Sequence, residues 1–176
     1  MTNINKNRKL VRLFQRVQNI PYFLFRHRDS KKLFSLNKGG CAEKAIWLGN
    51  KLKEMDIPVK YYLIEFKWEE LPIPKEIIKL KKKGPIKLRK KGPAHHLVLK
   101  AKVNNKWLWL DPTWDPGLEK GGFPITKNWN GKTNTKLAVR PVKIEEFEPN
   151  DPSDIELTEF TRALNKYLDN MRKKMF

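Results

Sequence analysis

Cys41 is the one thiol in this 176-residue chain, and it follows Gly39-Gly40 at the start of a helix-like run. Glycines in that place let the backbone turn sharply and leave the sulfur open to an incoming group. The free N–H groups and positive end of a helix favour a thiolate, and they can hold the oxyanion formed when a carbonyl is attacked. Alone, a solitary cysteine reads equally as a small buried apolar residue. Two of the three histidines are adjacent, His95 and His96, in a strand-like run, and Asp111 closes the next such run directly before Pro112. Asn104-Asn105 between the runs suits a two-residue hairpin turn, where both residues take positive φ. Pairing about that turn sets Asp111 across from Val98, with His96 two residues along the same face and within reach of a His–carboxylate hydrogen bond. A cysteine nucleophile, a histidine base and an orienting aspartate are the parts of acyl transfer through a thioester. Singly, the His pair reads as a satisfied structural element and Asp111 as a turn former; the joint spacing carries the argument.

The elements that must position these groups follow from periodicity. Residues 9–20 carry apolar side chains at Leu10, Leu13, Phe14, Val17 and Ile20, a helix stripe that Pro21 stops. Residues 29–40 read as loop. Residues 41–55 form the cysteine helix, with Ala42, Ala45, Ile46, Gly49 and Leu52 on its buried stripe. Strands are expected over 59–66, 94–103 and 106–110, and a fourth over 137–144, interrupted by Pro141 and so at an edge. Alternation groups His95 with Leu97, Leu99, Ala101 and Val103 on the more apolar side. That leaves His96 facing away from the sheet's core, toward the helix that carries Cys41. Trp114, Phe123 and Trp129 make 112–135 a packed loop. A last amphipathic helix over 151–175 turns Ile155, Leu157, Phe160, Leu164, Leu168 and Met171 inward. Helices, then antiparallel strands, then a helix make an α+β fold.

Charge is uneven. Of a formal net charge of +19, most comes from 1–33 and 75–92, each with nine basic residues against a single acid. Residues 145–159 hold seven carboxylates. A basic surface attracts phosphate polymers and acidic proteins, though a Lys-rich surface alone is also a heat-adaptation pattern. Residues 71–92 read as an exposed Lys-rich insertion, with a short helix after Pro74 and Gly-Pro pairs at 84–85 and 92–93. One thiol excludes an internal disulfide framework and a multi-cysteine zinc site. No apolar run approaches the ~20 residues that cross a bilayer, and the charged first sixteen residues lack a secretory stretch. One domain in the cytoplasm is the expectation, its core over about 37–144.

A family resemblance rests on these same residues. Gly39-Gly40-Cys41-Ala42-Glu43-Lys44-Ala45, with Leu48, Leu52 and Met55-Asp56-Ile57-Pro58-Val59, resembles the cysteine helix and following turn of the transglutaminase-like superfamily. His96, with Trp107 and the Asp111-Pro112-Thr113 close, resembles that family's histidine strand and aspartate-proline-threonine ending. Asn128-Trp129-Asn130-Gly131 followed by Leu137-Ala138-Val139 is similar to a sequence found after the aspartate in some members. The resemblance covers about 39–139. It implies a papain-like core and thioester chemistry with Cys41, His96 and Asp111 as the catalytic set, and without a cofactor. Asp56 stands where the family has glycine, Leu97-Val98 where an alanine and an aromatic follow the histidine, and the Lys-rich insertion has no counterpart there.

Trp109 shares a strand face with Asp111 and is a candidate substrate-binding wall as well as a core filler. Gln18 and Tyr22 are the named candidates for an oxyanion donor, and a packing role fits either. A metal site from Cys41, His95 or His96 and Asp111 is disfavoured because the two histidines point oppositely, and no closely spaced carboxylates resemble a calcium loop. The substrate expected is a peptide or protein, acidic to suit the lysine-rich surface. The competing reading is a catalytically inactive papain-like module that binds nucleic acid or an acidic protein through 75–92.

Overall fold

The computed structural model describes residues 3–82, 94–150 and 154–173. Helix α1 (Asn3–Gln18) leads through a 3-10 turn into the four-residue α2 (Leu33–Leu36) and then α3 (Cys41–Lys53). Strand β1 (Val59–Phe66), the short α4 (Lys75–Lys79), strands β2 (Ala94–Val103), β3 (Lys106–Leu110) and β4 (Lys143–Glu146), and α5 (Glu159–Lys173) complete the order. The strands form one sheet, β3-β2-β1-β4, antiparallel throughout. The α+β expectation holds at that level: helices pack on a four-stranded antiparallel sheet.

The hairpin is as the two asparagines imply. Asn104 and Asn105 take φ of 48° and 64°, and Val103 pairs with Lys106 and Leu99 with Leu110. Asp56, in the turn from α3 to β1, has φ 54°. A short polar side chain tolerates the left-handed conformation that a glycine would otherwise supply there.

Both faces of the sheet carry buried side chains over β1 to β3, while β4 at the edge is exposed. On one, Leu97, Leu99, Ala101, Leu108 and Leu110 meet Leu10, Phe14 and Val17 of α1 and Ala45, Leu48 and Leu52 of α3. The helix lies close because residue 49 is glycine: a Cβ there would run into the Tyr61 hydroxyl. On the other, Ile64, Phe66 and Val98 meet Trp114, Leu118 and Phe123 of the long loop and Phe160, Leu164 and Leu168 of α5. At about 25 cal/mol per Å² of apolar surface, such double burial is the main force holding the sheet.

Five expectations need correction. Residues 29–40 are not all loop, since Ser30–Lys32 form the 3-10 turn and Leu33–Leu36 the short α2. The cysteine helix covers the Leu97 face, so His96 does not point toward the body of that helix. Residues 137–142 are not strand: Ala138 is bonded through its N–H to Asp111 and through its carbonyl to Trp114, and Pro141 has no N–H to give. The strand forms instead at Lys143–Glu146, on the sheet edge. The last helix starts at Glu159, because the Thr158 hydroxyl caps it by accepting from the Thr161 N–H at 3.2 Å. Finally, 71–82 is not an exposed excursion. Leu71, Ile73 and Ile78 are buried, and the Tyr167 hydroxyl donates to the Pro72 carbonyl at 3.0 Å. The rest of the Lys-rich insertion, 83–93, lies outside the described residues.

Candidate active site

Cys41 is the first residue of α3, and the helix end is capped by Gly40 with no side-chain hydrogen bond. The approach to it is pinned by a bridge between Tyr22 and Gly39. The Phe23 N–H donates to the Gly39 carbonyl at 3.1 Å, and the Gly39 N–H to the Pro21 carbonyl at 3.2 Å. Strand β2 outruns β3: pairing with β3 begins at Leu99, so the stretch from Ala94 to Val98 has β1 on one side only. The cysteine comes alongside that open edge. There the Leu97 N–H donates to the sulfur, and the His96 ring hydrogen-bonds to it. The Nε2 of His96 lies 2.8 Å from Oδ2 of Asp111, leaving Nδ1 to the sulfur. Sulfur, imidazole and carboxylate thus form one hydrogen-bonded chain, with Cys41 half-buried and both partners buried.

The register explains how two strand ends arrive together. With Leu99 opposite Leu110, residue 111 falls beside 98 on the face that also holds 96. The carboxylate is then fixed by backbone. Oδ2 accepts from the Ala138 N–H at 2.7 Å and Oδ1 from the Thr113 N–H at 3.3 Å, while the Asp111 N–H donates to the Thr135 hydroxyl at 2.8 Å.

The protonation states follow from these contacts. Burial pushes the Asp111 carboxyl up, but the charge and hydrogen bond of His96 and the Ala138 amide hold it below its ordinary value. Burial disfavours a charged imidazole, yet Asp111, through charge and hydrogen bond, and Cys41 together push His96 up to about 10. For Cys41, burial acts upward, and it is outweighed by His96, by the Arg28 charge and by the Leu97 amide, so the thiol lies below its usual value. The arrangement therefore shifts the balance toward a thiolate–imidazolium pair.

Several charged groups around the site went unnoticed in the sequence. Glu43 and Lys44 sit inside the stripe of α3, 2% and 0% exposed. Glu43 Oε2 pairs with Arg28 Nη2 at 3.2 Å. Lys44 Nζ donates to the carbonyls of Thr113 at 2.8 Å, Pro112 at 3.2 Å and Gln18 at 3.4 Å. Asp115 takes Arg172 in a two-point pair, Nη2 to Oδ2 at 2.7 Å and Nε to Oδ1 at 3.0 Å, and accepts from the Tyr22 N–H at 3.0 Å. The available signal was the run Glu43-Lys44, two charges at positions that helical spacing places between Ala42 and Ala45.

Of the other candidates, Gln18 supplies its backbone carbonyl to Lys44. Tyr22 is buried beside Cys41, its ring 4.6 Å from that of Trp114, and burial with the charges of Cys41 and Glu43 keeps its phenol protonated. Trp109 is half-buried, edge-on to Tyr62 at 4.9 Å and under the Lys100 ammonium at 4.2 Å. His95 points away, with Nε2 3.9 Å from Glu65. Among the described residues no three His, Cys, Asp or Glu side chains gather in a way that could hold a metal ion. The imidazole lies between sulfur and carboxylate, so these three do not converge on a common point. Nor, among the described residues, is any helix long and apolar enough to cross a membrane.

No family model matches the chain, and no curated protein matches it. Among solved structures, a candidate cysteine protease from Cytophaga hutchinsonii is similar over 60% of this chain and 30% of its own length, at a TM-score of 0.42 and 15% identity. The chain thus spans about a third of that protein. The functional reading rests on the site's own geometry.

Proposed function

We propose that this chain is a cysteine-dependent acyl-transfer enzyme or amide hydrolase of transglutaminase-like, papain-like type. The observation that carries this reading is the chain Cys41–His96–Asp111, closed by the 2.8 Å bond from imidazole to carboxylate. The Cys41 thiolate attacks an amide carbonyl, a C–S bond forms, and the electron pair moves onto oxygen. The Cys41 N–H at the start of α3, where no side chain bonds the helix end, receives that oxyanion, with the protonated Tyr22 phenol as the candidate second donor. The His96 imidazolium gives its proton to the nitrogen as the C–N bond breaks, leaving a thioester and a free amine. Neutral His96 then takes a proton from water or an acceptor amine as it attacks the thioester, and the thiolate leaves. Asp111 holds the ring in one tautomer throughout.

An excess of basic over acidic residues suits an acidic peptide or protein substrate, and Trp109, on the strand face of Asp111 and stacked between Tyr62 and Lys100, is the candidate wall of its approach. The alternative, an inactive module binding nucleic acid through the basic surface, draws on the same +19 charge. It is favoured only if a salt-sensitive complex with DNA or RNA survives loss of the thiol.

The test is an acidic peptide carrying an acyloxymethyl ketone, which reacts with activated thiols, followed by intact mass. The native protein is expected to gain one adduct on Cys41, and Cys41→Ala none. His96→Ala, which keeps the thiol, is expected to react about 100-fold or more slowly. Equal rates for the native protein and His96→Ala would overturn the reading.

A further inference from the structure

Lys44 is a charged side chain near the site that the acyl-transfer scheme does not use, and it is fully buried. It lies one helical turn beyond Cys41. Its Nζ reaches three carbonyls from two other segments: Gln18 at the end of α1, and Pro112 and Thr113 directly after Asp111. All three partners are acceptors. An ammonium has three N–H donors for them, whereas a neutral amine has two and would turn a lone pair on a carbonyl. We propose that Lys44 is a positioning residue: as an ammonium it ties the segment carrying Asp111 to the helix carrying Cys41, and on losing its proton it lets the two separate. This rests on reading Cys41, His96 and Asp111 as an acyl-transfer set.

The charges facing Lys44 come from every side of this junction. Burial lowers its pKa to about 7; Asp115 opposes that, Arg172 of α5 adds to it, and Asp111 and Cys41 oppose it. The clamp is therefore closed in mild acid and opens as pH rises through neutrality. A displacement of the carboxylate by about 1 Å is enough to cost a site of this kind roughly 100-fold.

With a single cysteine in the chain, the rate of alkylation by iodoacetamide reports on Cys41 alone and needs no acyl chemistry. The native rate is expected to show an inflection near pH 7. At pH 6, Lys44→Met is expected to react about tenfold more slowly than the native protein, and the ratio to fall toward one above pH 8, where the native lysine has also lost its proton. A packing role alone gives a ratio that does not change with pH, and that result would overturn the proposal. So would a native profile with no inflection near neutrality. Lys44→Arg keeps its charge at every accessible pH and serves if the methionine variant does not fold. Its fast rate is expected to persist above pH 8, and a profile matching the native one would count against the clamp. Loss of the ketone adduct with the alkylation pattern intact would remove the acyl-transfer reading and leave the link between Lys44 and the thiol standing.

Discussion

Asp111 and Asp115 are four residues apart on one loop, both nearly sealed from solvent; Asp111 accepts from two backbone N–H groups and Asp115 from one, and each from one cationic side chain. They differ in the partner. Asp115 holds Arg172, whose guanidinium never gives up its proton, and the same Nη2 also donates to the Tyr22 carbonyl at 3.0 Å. Asp111 holds His96, which can pass a proton, and whose other nitrogen meets a thiol. Burial and hydrogen bonding of a carboxylate therefore do not mark a catalytic group. What marks it is whether its partner can exchange a proton with something reactive. Asp115 is a strut from α5 to the Tyr22 segment before the cysteine, and in the proposed mechanism Asp111 orients a base.

The sharpest way to break this contrast is to neutralise each aspartate in turn. Asp111→Asn keeps the shape of the side chain but loses the charge that lifts His96, so the imidazole settles in the wrong tautomer and the thiolate is less favoured at neutral pH. Turnover of an amide substrate is expected to fall by about 10³–10⁴-fold, with the fold retained. Thiolate absorbance at pH 6 should fall with it. The acid side of the stability curve changes too. The folded carboxyl titrates below its unfolded value, so its stabilisation is present above about pH 4 and is lost as pH falls through the folded value. The variant should lack that acid-sensitive component in urea melts recorded between pH 2 and 5. An Asp111→Asn protein with native turnover would place Asp111 in the same class as Asp115.

Asp115→Asn is expected to do the opposite. It leaves the part-buried Arg172 with Asp169 as its remaining counter-charge, a change of about 3 kcal/mol, the low end for a buried pair, read as a drop of roughly 10 °C in melting temperature for a chain of this size. The folded fraction should lose no more than the roughly tenfold that opening the Lys44 clamp accounts for at pH 6, since Asp115 is the first charge that holds the Lys44 proton. If reactivity falls as far as in Asp111→Asn, the strut is part of the chemistry and the contrast dissolves.

The two carboxylates were also unequally legible. Asp111 could be placed from sequence because a two-residue Asn turn fixes register, and register fixes which residues share a face. Asp115 could not, because its partner Arg172 lies 57 positions away on a helix whose first turn the apolar pattern does not mark. The same limit explains the face assigned to His96. Counting apolar residues along β2 identifies a core side only when the other side is wet. Here Val98 is as fully buried as Leu99, since the 112–139 loop and α5 build a second core. That the thiol reaches His96 around the open edge of β2 depends on where β3 stops, which a strand pattern does not specify. Lys44 and Glu43 were passed over because charged residues are rarely sealed unless paired, and their partners are backbone carbonyls and a loop arginine.

The smallest expected effect concerns the turn that delivers Asp111. Asn105 has φ 64°, and alanine there meets the left-handed penalty of about 1 kcal/mol that asparagine relieves. Asn105→Ala should lower the melting temperature by about 2–4 °C, whereas Asn105→Gly should not lower it. Neither is expected to change thiol reactivity more than twofold, because the register has a second guarantor. Slipping β3 by one residue would turn Leu108 and Leu110 out of the α1–α3 core and drive Trp107 and Trp109 into it. Such a slip would move Asp111 off the His96 face and leave Asp115 on its arginine. If Asn105→Ala loses reactivity out of proportion to its stability, the turn alone holds the register, and the buried faces contribute less to placing the carboxylate than their packing implies.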